Sequence, residues 1–279
     1  MKRIVAILAT TVFAANAFAG NITVKGSDTL VVLAQKWAEV YMHSNTNVNI
    51  SVSGGGTGVG FAALQSQTTD LCDASRPIKA AEVGNCIKAF HAKPTEYAVA
   101  LDGLSVYVNP ANSVKELSVA QVGDIFSGKI INWKEVGGSD APITVYSREN
   151  SSGTYEFFKT HVLQGKDFVA SAQTMPGTAA IVQAVVKDKN SIGYGGAAYG
   201  GGSKLLSIKA SDTSPAIAPT EETVMNGTYP IWRHLYIYVN PAQDKGEIAA
   251  YLSWIRSDDG QKYVKDVGYY PLPKALRSN

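Results

Sequence analysis

Three short segments of the chain combine glycine with hydroxyl side chains, and each lies between a strand-like run and a helix-like run. Their sequences are GSDTL at 26–30, SGGGTGVG at 53–60 and SRENSSGT at 147–154. The first turn of a helix carries unpaired backbone N–H groups and a partial positive charge, which attract anions. Hydroxyl groups add hydrogen-bond donors without adding net charge. We therefore expect the three segments to converge on one oxyanion.

Arg148 gives the third segment a formal charge. It lies four residues before Ser152, and Ser152, Gly153 and Thr154 are expected to start a helix. A guanidinium beside N-terminal amides and hydroxyls is a donor set that suits a tetrahedral anion. The alternative is an ordinary N-cap beside a surface arginine. The two similar segments elsewhere in the chain favour the anion site.

A fourth segment, CDASRPIK at 72–79, carries Ser75 and Arg76 after a third short strand. Pro77 fits the first turn of a helix or a tight turn at this place. Arg76 has two interpretations, contact with the anion or support of a hinge between lobes, and the sequence leaves both open.

The order of the elements predicts how these segments come together. Apolar residues alternate along short strands at 22–24 and 48–52, and they recur at helical spacing from Leu33 to Tyr41. Ser27 or Asp28 is the expected N-cap of that helix. A second helix is expected near 59–65, and DLCDAS at 70–75 is typical of a third strand. This alternating order predicts a parallel sheet with ligand-binding loops at the carboxyl ends of its strands.

A near-repeat indicates two lobes. LSVYVNP at 104–110 returns as LYIYVNP at 235–241, and both copies are strand-like and end in a turn-forming Asn-Pro. Chance is one explanation, because strands use a limited set of residues. The other is a pair of crossover strands between two lobes. Two further helices are expected near 248–255 and 261–267, and the glycine- and aromatic-rich stretch at 193–202 is expected to be a loop without chemistry.

The amino terminus and the overall charge limit the classes of protein to which the chain can belong. Lys2 and Arg3 precede an apolar run that ends in Ala17-Phe18-Ala19, which is typical of a secretory signal peptide at 1–19. The remaining 279 − 19 = 260 residues suffice for two lobes. Without Lys2 and Arg3 the chain has 25 − 2 = 23 basic residues against 23 acidic ones. A net charge near zero argues against a general nucleic-acid or anionic-membrane surface.

The two cysteines of the chain are Cys72 and Cys86. In an oxidising compartment, their spacing predicts a disulfide that closes a loop of about fifteen residues and stabilises the fold by about 3 kcal/mol. The four histidines are scattered without metal-ligand spacing, so we expect neither a metal site nor a cofactor. They are His43, His91, His161 and His234.

Together these features resemble the periplasmic phosphate-binding proteins of ABC-type phosphate transporters, which are type II periplasmic binding proteins. The matching motifs are GSDTL, GGGTGVG, ASRPIK and RENSSGT, and the resemblance extends over essentially the whole chain after the leader. It implies an α/β fold of two lobes, each with a mixed, mostly parallel sheet flanked by helices, joined by two crossover strands. Lobe 1 is expected to comprise 20–106 and 238–279, and lobe 2 to comprise 107–237.

The resemblance also implies a function and a ligand set. A member of this family is a monomer that captures inorganic phosphate between its lobes in the periplasm and delivers it to a membrane permease, without catalysis. Carried over position by position, the phosphate contacts are Thr29, Leu30 through its backbone N–H, Thr57, Arg148, Ser152, Gly153 and Thr154. Further candidates are Ser27, Asp28, Ser75 and Arg76.

One departure from the family concerns selectivity. Some members carry an aspartate in the segment after the third strand that accepts the phosphate proton and so helps to reject sulfate. The matching position here is Arg76, and Asp73 lies nearby but out of register. Three interpretations stay open: Asp28 or another carboxylate takes the acceptor role, a second arginine favours the dianion, or Arg76 points away from the site.

Two other functions share some of these features. A receptor for another oxyanion, such as sulfate, molybdate or tungstate, would have the same fold. A secreted hydrolase or phosphatase would use one of the serines, but the chain has neither a G-x-S-x-G nor an S-x-x-K motif. The glycine segment lacks the G-K-[ST] of a P-loop, and Phe61 stands where a dinucleotide fingerprint needs glycine.

Overall fold

The computed structural model describes residues 20–277, so the expected signal peptide at 1–19 lies outside the described residues. The strands are β1 (Gly20–Gly26), β2 (Val48–Ser53), β3 (Leu71–Ala74), β4 (Thr95–Val108), β5 (Glu116–Ser118), β6 (Thr144–Arg148), β7 (Gln173–Met175), β8 (Ser191–Gly196), β9 (Lys204–Leu205), β10 (Ser207–Lys209), β11 (Ala216–Ile217) and β12 (Trp232–Val239). The helices are α1 (Val31–Ser44), α2 (Thr57–Gln65), α3 (Ala80–Phe90), α4 (Val119–Phe126), α5 (Gly153–His161), α6 (Thr178–Lys187), α7 (Glu221–Met225), α8 (Gly246–Arg256) and α9 (Asp258–Val267).

One mixed sheet runs through the molecule in the order β2-β1-β3-β12-β4-β8-β6-β7, with β9 also paired to β4. The strands are parallel at both ends of this order, where β1 pairs with β2 and β3, and β6 pairs with β7 and β8. The centre is antiparallel, because β12 runs against both β3 and β4. The parallel arrangement predicted for the first three strands is confirmed. A small second sheet has the order β11-β10-β5.

The buried apolar side chains form two large cores. The first core contains Trp37 of α1 and Tyr251 of α8, and the indole of Trp37 donates to the carbonyl of Gly260 at 2.8 Å, which ties α1 to α9. The second core contains Phe126 and Phe158, whose rings meet edge to face with centroids 4.7 Å apart. We call the parts of the chain around these cores lobe 1 and lobe 2. Their residue boundaries remain a prediction.

The two copies of the near-repeat lie on the central strands, β4 and β12. Along β4, Val99 belongs to the first core, whereas Leu104 and Val106 belong to the second. Along β12 the direction is reversed: Trp232 packs against the second core, and Leu235 and Ile237 belong to the first. β12 pairs along its whole length with 95–103 of β4, with a bulge between Leu235 and Tyr236, whereas 104–108 of β4 pair with β8. Both strands therefore cross between the lobes, which confirms the crossover interpretation.

Several local predictions can be compared directly with these elements. Helices α2, α8 and α9 lie where the sequence predicts them. The N-cap prediction for α1 is wrong, because the helix begins at Val31 after Leu30, and no side chain caps it. The loop predicted at 193–202 is also wrong for its first part, which continues β8 in the sheet and is fully buried. Its glycines permit this packing: a Cβ at Gly193 would lie 2.4 Å from Ile181 of α6.

The disulfide prediction is wrong. Cys72 on β3 and Cys86 on α3 are free thiols, and both pack as small apolar side chains in a cluster with Phe61, Leu64 and Tyr238. Loop length predicts the entropy gained by a crosslink, but not whether the two sulfur atoms face each other. Burial raises the pKa of the Cys72 thiol well above its ordinary value and that of Cys86 to about 11. Both are therefore protonated, whereas the thiolate is the form that reacts.

Candidate functional site

Four buried hydroxyl groups meet between the lobes. The shortest contact joins Thr29 Oγ1 of lobe 1 to Thr154 Oγ1 of lobe 2, at 2.7 Å. Thr57 Oγ1 lies 3.3 Å from Ser75 Oγ, which in turn lies 3.5 Å from Thr154 Oγ1. All four residues are at most 1% exposed. We call Thr29, Thr57, Ser75 and Thr154 the hydroxyl cluster.

The sheet and two helices position the hydroxyl cluster. Thr29 and Ser75 follow the parallel strands β1 and β3, whose carboxyl ends meet at one edge of the sheet. Thr57 is the first residue of α2, and Thr154 is the second residue of α5. The amino termini of both helices, with their positive dipole ends, thus lie at the hydroxyl cluster.

Gly153 allows the two lobes to approach this closely. A Cβ at this position would lie 2.3 Å from Thr57 Oγ1 and 2.7 Å from Ser75 Oγ, which is closer than real Cβ contacts. Ser152, just before it, caps α5 by accepting a hydrogen bond from the Tyr155 N–H at 3.2 Å. The carried-over residues Ser152, Gly153 and Thr154 therefore lie at the start of one helix, as the sequence predicts.

The glycine segment at 53–60 contacts the backbone of lobe 2. The Gly58 N–H donates to the carbonyl of Ser151 at 2.9 Å, and the Ser151 hydroxyl donates to the carbonyl of Gly55 at 3.1 Å. Gly56 has φ +96°, and a Cβ there would lie 2.6 Å from Ser151 O. The glycines are thus required for contact between the lobes, which the sequence analysis did not anticipate.

Arg148 is almost fully buried, at 2% exposure, and is held by both lobes. Its Nε and Nη2 donate to the carboxylate of Glu149 at 3.0 and 2.7 Å, and its Nη1 donates to Thr178 Oγ1 at 2.9 Å. From lobe 1, Asp28 Oδ2 accepts from Nη2 at 2.7 Å. Burial alone would lower the pKa of Arg148, but the hydrogen bond to Glu149 and the charges of Glu149 and Asp28 outweigh it and raise the pKa. The guanidinium is therefore charged and fixed in orientation.

The other candidates of the first segment surround this pair. Asp28 Oδ1 accepts from the Gly55 N–H at 2.8 Å, so its carboxylate links the first segment, the glycine segment and Arg148. The Leu30 N–H, predicted to face the anion, donates to the carbonyl of Ser27 at 3.0 Å. The Ser27 hydroxyl is buried and has no hydrogen-bond partner among residues 20–277. A surface cavity lined by Asp28, Gly55 and Glu149 opens beside them.

Arg76 is turned away from the hydroxyl cluster. Its Nη1 and Nη2 form a bidentate ion pair with Glu82 of α3, at 2.8 and 2.7 Å, and its guanidinium lies 5.2 Å from the ring centre of Phe61. Glu82 also accepts from the Lys79 N–H at the start of α3, at 2.9 Å. Of the interpretations that the sequence leaves open, the structure favours the one in which Arg76 points away and supports α3.

Sequence reasoning missed Arg233, which reaches the hydroxyl cluster from β12. Its Nη2 donates to Thr154 Oγ1 at 3.0 Å and its Nη1 to the carbonyl of Ser75 at 2.9 Å, while Asp102 of β4 holds the other side of the guanidinium. A signal was available, because Arg233 alternates in phase with the buried Leu235 and is therefore an arginine on the inward face of a strand.

Two tyrosines of the stretch at 193–202 also contact the site. The Tyr199 hydroxyl donates to the carbonyl of Asp28 at 2.7 Å. The Tyr194 hydroxyl lies 3.1 Å from Ser147 Oγ and accepts from the Arg148 N–H at 3.4 Å. The expectation that this stretch has no role at the site is therefore wrong.

No group of His, Cys, Asp and Glu residues within 20–277 is placed to hold a metal ion. The Ser152 hydroxyl serves as the cap of α5, where it accepts from the Tyr155 N–H. Among residues 20–277 no helix is both long enough and apolar enough to cross a membrane.

Comparison with known proteins identifies the family. A family model described as a PBP superfamily domain matches residues 11–259. The phosphate-binding protein PstS of Pseudomonas aeruginosa is 34% identical over 275 residues, which cover 93% of this chain and 85% of that protein. This chain belongs to the PstS family of phosphate-binding proteins. PstS of Staphylococcus epidermidis is 35% identical over 263 residues, with coverage of 91% and 80% respectively.

A solved structure related to the PstS proteins has the same fold. A Clostridium perfringens protein assigned as a phosphate ABC transporter substrate-binding protein, with bound phosphate, superposes with a TM-score of 0.82. It is 26% identical, and the match covers 91% of this chain and all of that one. The type II periplasmic-binding-protein fold expected from the sequence is thereby confirmed. The PstS relatives and this neighbour are named for binding and transport of phosphate, not for catalysis.

Proposed function

We propose that this protein captures inorganic phosphate between its lobes and delivers it to an ABC-type permease. The observation that carries the proposal is the hydroxyl cluster, in which three hydroxyls of lobe 1 meet one of lobe 2. The buried guanidinium of Arg233 contacts the cluster at Thr154. Each hydroxyl can give its hydrogen to an anion instead of to a neighbour. A small tetrahedral oxyanion matches this number and arrangement of donors.

Hydrogen bonds rather than net charge would hold the anion. The arginines Arg148 and Arg233 are offset by the carboxylates of Asp28, Glu149 and Asp102, so the five groups sum to 2 − 3 = −1. In a buried site each fixed donor counts for more than in water, because the local dielectric constant is low. The ligand set we propose is Thr29, Thr57, Arg148, Ser152, Gly153 and Thr154, with Ser75 as a further donor. Leu30 would join this set by exchanging the bond of its N–H to the Ser27 carbonyl for one to the anion.

Arg148 has one donor to spare for the anion. Four of its five N–H groups donate to Glu149, Asp28 and Thr178. We propose that the remaining Nη1 hydrogen is directed to the anion and that Asp28 is the carboxylate that accepts the proton of phosphate. The same carboxylate would repel sulfate, which has no proton to donate.

Delivery requires export and a membrane partner. The leader at 1–19, with its basic start and its Ala-x-Ala end, supports cleavage after Ala19 and a periplasmic location. We propose that the mature protein is a monomer whose lobes close on phosphate and present it to the permease. Fractionation of cells by osmotic shock, followed by mass determination of the released protein, tests the location and the cleavage site.

Isothermal titration of residues 20–279 with phosphate is the direct test of the ligand. We expect one site per chain and no displacement by equimolar sulfate. Thr154→Val removes one hydroxyl at constant shape and should weaken binding by about tenfold or more, whereas Thr213→Val changes an exposed threonine and should not. Saturable binding of molybdate or sulfate without binding of phosphate would replace this proposal by that of a receptor for another oxyanion.

A further inference from the structure

Arg233 and Asp102 form a buried charge pair where the crossover strands meet. They stand directly opposite each other in the β4–β12 ladder, and they are 4% and 0% exposed. Asp102 Oδ2 accepts from Nε and Nη2 of Arg233 at 3.0 and 2.7 Å, and Asp102 Oδ1 accepts from the Ala197 N–H at 3.2 Å. Both carboxylate oxygens of Asp102 therefore accept hydrogen bonds.

The other side of the guanidinium faces the hydroxyl cluster. Its Nη2 donates to Thr154 Oγ1, and its Nη1 donates to the carbonyl of Ser75. A guanidinium has only donors, so Thr154 Oγ1 must accept at this contact. The hydrogen of the Thr154 hydroxyl is thereby directed elsewhere, to Thr29 or Ser75 within the cluster or to a bound anion.

A second contact requires the Thr57 hydroxyl oxygen to accept a hydrogen bond, as Thr154 does. The backbone N–H of Ser75 donates to Thr57 Oγ1 at 3.1 Å, so the Thr57 hydroxyl must also give its hydrogen to another group. Arg233 contributes here as well, because its bond to the Ser75 carbonyl fixes the residue whose N–H makes this contact. Two of the four hydroxyls are thus constrained to donate.

We propose that Arg233 is a positioning residue for anion binding, because it sets the direction of the hydrogen bonds in the hydroxyl cluster. It acts on Thr154 directly and on Thr57 through the backbone of Ser75, and it holds both threonine hydroxyls as donors before the anion arrives. An anion then meets hydroxyls that already point hydrogens outward, which spares the cost of reorienting them. This inference rests on the proposed function and extends it to a residue outside the ligand set.

A double-mutant cycle separates this role from general support of the fold. Asp102→Asn with Arg233→Gln replaces the pair by neutral side chains of similar shape, and the glutamine amide can accept as well as donate. Phosphate affinity should fall by about tenfold. Adding Thr154→Val to this variant should cost less than about threefold, since the orientation of Thr154 is already lost. In the wild-type background Thr154→Val should show its full effect.

Arg76→Gln with Glu82→Gln is the matched control, because it neutralises an arginine–carboxylate pair that lies outside the cluster. There Thr154→Val should keep its full effect on affinity. If the effect of Thr154→Val is equally large in the Asp102/Arg233 variant, Arg233 does not act through Thr154 and the inference is overturned. It is equally overturned if that variant, folded, binds phosphate as the wild type does.

Two further outcomes keep the test decisive. If the neutral pair does not fold, Arg233→Lys takes its place; a lysine keeps the charge and only donates, so affinity should stay within about fivefold of wild type. A loss equal to that of Thr154→Val would contradict the inference. If wild-type protein shows no phosphate binding at all, the proposed function fails, and the same cycle is then read with the oxyanion that does bind.

Discussion

The carboxylate of Asp28 and the guanidinium of Arg148 meet across the two lobes, with Oδ2 2.7 Å from Nη2. The Arg148 side chain is 1% exposed and that of Asp28 is 20% exposed, so the contact lies at the edge of the buried site. A carboxylate in this place links the lobes and puts a negative charge beside the proposed anion site. We therefore expect Asp28 to affect the selectivity of the site among anions.

Asp28→Asn should reduce the preference for phosphate over sulfate. The amide retains an oxygen for the Gly55 N–H, but it removes the charge that repels sulfate and weakens the acceptor for the phosphate proton. We expect the affinity ratio of the two anions to fall by about tenfold or more, measured by titration with each. Glu149→Gln is the control, because Glu149 also pairs with Arg148; it should change both affinities alike. An unchanged ratio in Asp28→Asn would remove Asp28 from the selectivity argument.

Arg148→Ala should weaken phosphate binding by about 100-fold or more, since it removes a charge-assisted donor and frees two carboxylates beside the anion. Arg76→Ala breaks a comparable ion pair with Glu82 away from the hydroxyl cluster and should change the affinity by less than about threefold. Both variants should lose stability. Titration together with thermal unfolding distinguishes the two effects, and near-wild-type affinity of Arg148→Ala would exclude it as a ligand.

Gly153→Ala should impair binding without a backbone penalty. Its φ is not in the left-handed region, but the added methyl group would lie 2.3 Å from Thr57 Oγ1 and force the lobes or the hydroxyls apart. We expect at least about thirtyfold weaker phosphate binding by titration. Gly84→Ala is the control, because no atom lies within 4 Å of a Cβ there. Equal affinities of the two variants would show that the close contact at Gly153 is not needed.

Asp73→Asn should change how stability depends on pH. Asp73 is 2% exposed, its Oδ1 has no partner among residues 20–277, and burial raises its pKa from 3.8 to about 7. The folded protein therefore binds this proton more tightly than the unfolded chain, so the wild type loses stability as pH rises from about 4 to about 7.

The asparagine variant does not ionise, so its stability relative to wild type should increase over that range. The full shift of about 3 pKa units corresponds to at most about 4 kcal/mol. Urea unfolding at pH 4, 6 and 8 measures the change. Asp212→Asn, at an exposed position, should show no such trend. Parallel pH profiles of wild type and Asp73→Asn would mean that Asp73 stays ionised in the fold.

Local patterns were sufficient to predict much of this structure. Thr57 and Thr154 were found because a strand, a hydroxyl-rich turn and a helix follow one another within a few residues. Arg233 and Asp102 were missed because their contact joins residues 131 apart in sequence, which no local pattern encodes. The cysteines show the converse error. Their spacing along the chain predicts a disulfide, but Cys72 and Cys86 pack in one apolar cluster as free thiols.

The β4–β12 pairing has a mechanical consequence. Where 100–103 of β4 face 232–235 of β12, the sheet is two strands wide apart from one bridge between Leu101 and Tyr270, because β3 pairs with 236–239 and β8 with 104–108. A two-stranded ribbon resists stretching and shearing but twists readily. The bulge between Leu235 and Tyr236 interrupts the ladder close to Arg233 and Asp102. Torsion of this ribbon would rotate one lobe against the other while their separation stays constant. Thr154 and Thr29, which lie on different lobes and contact each other at 2.7 Å, would then separate along an arc.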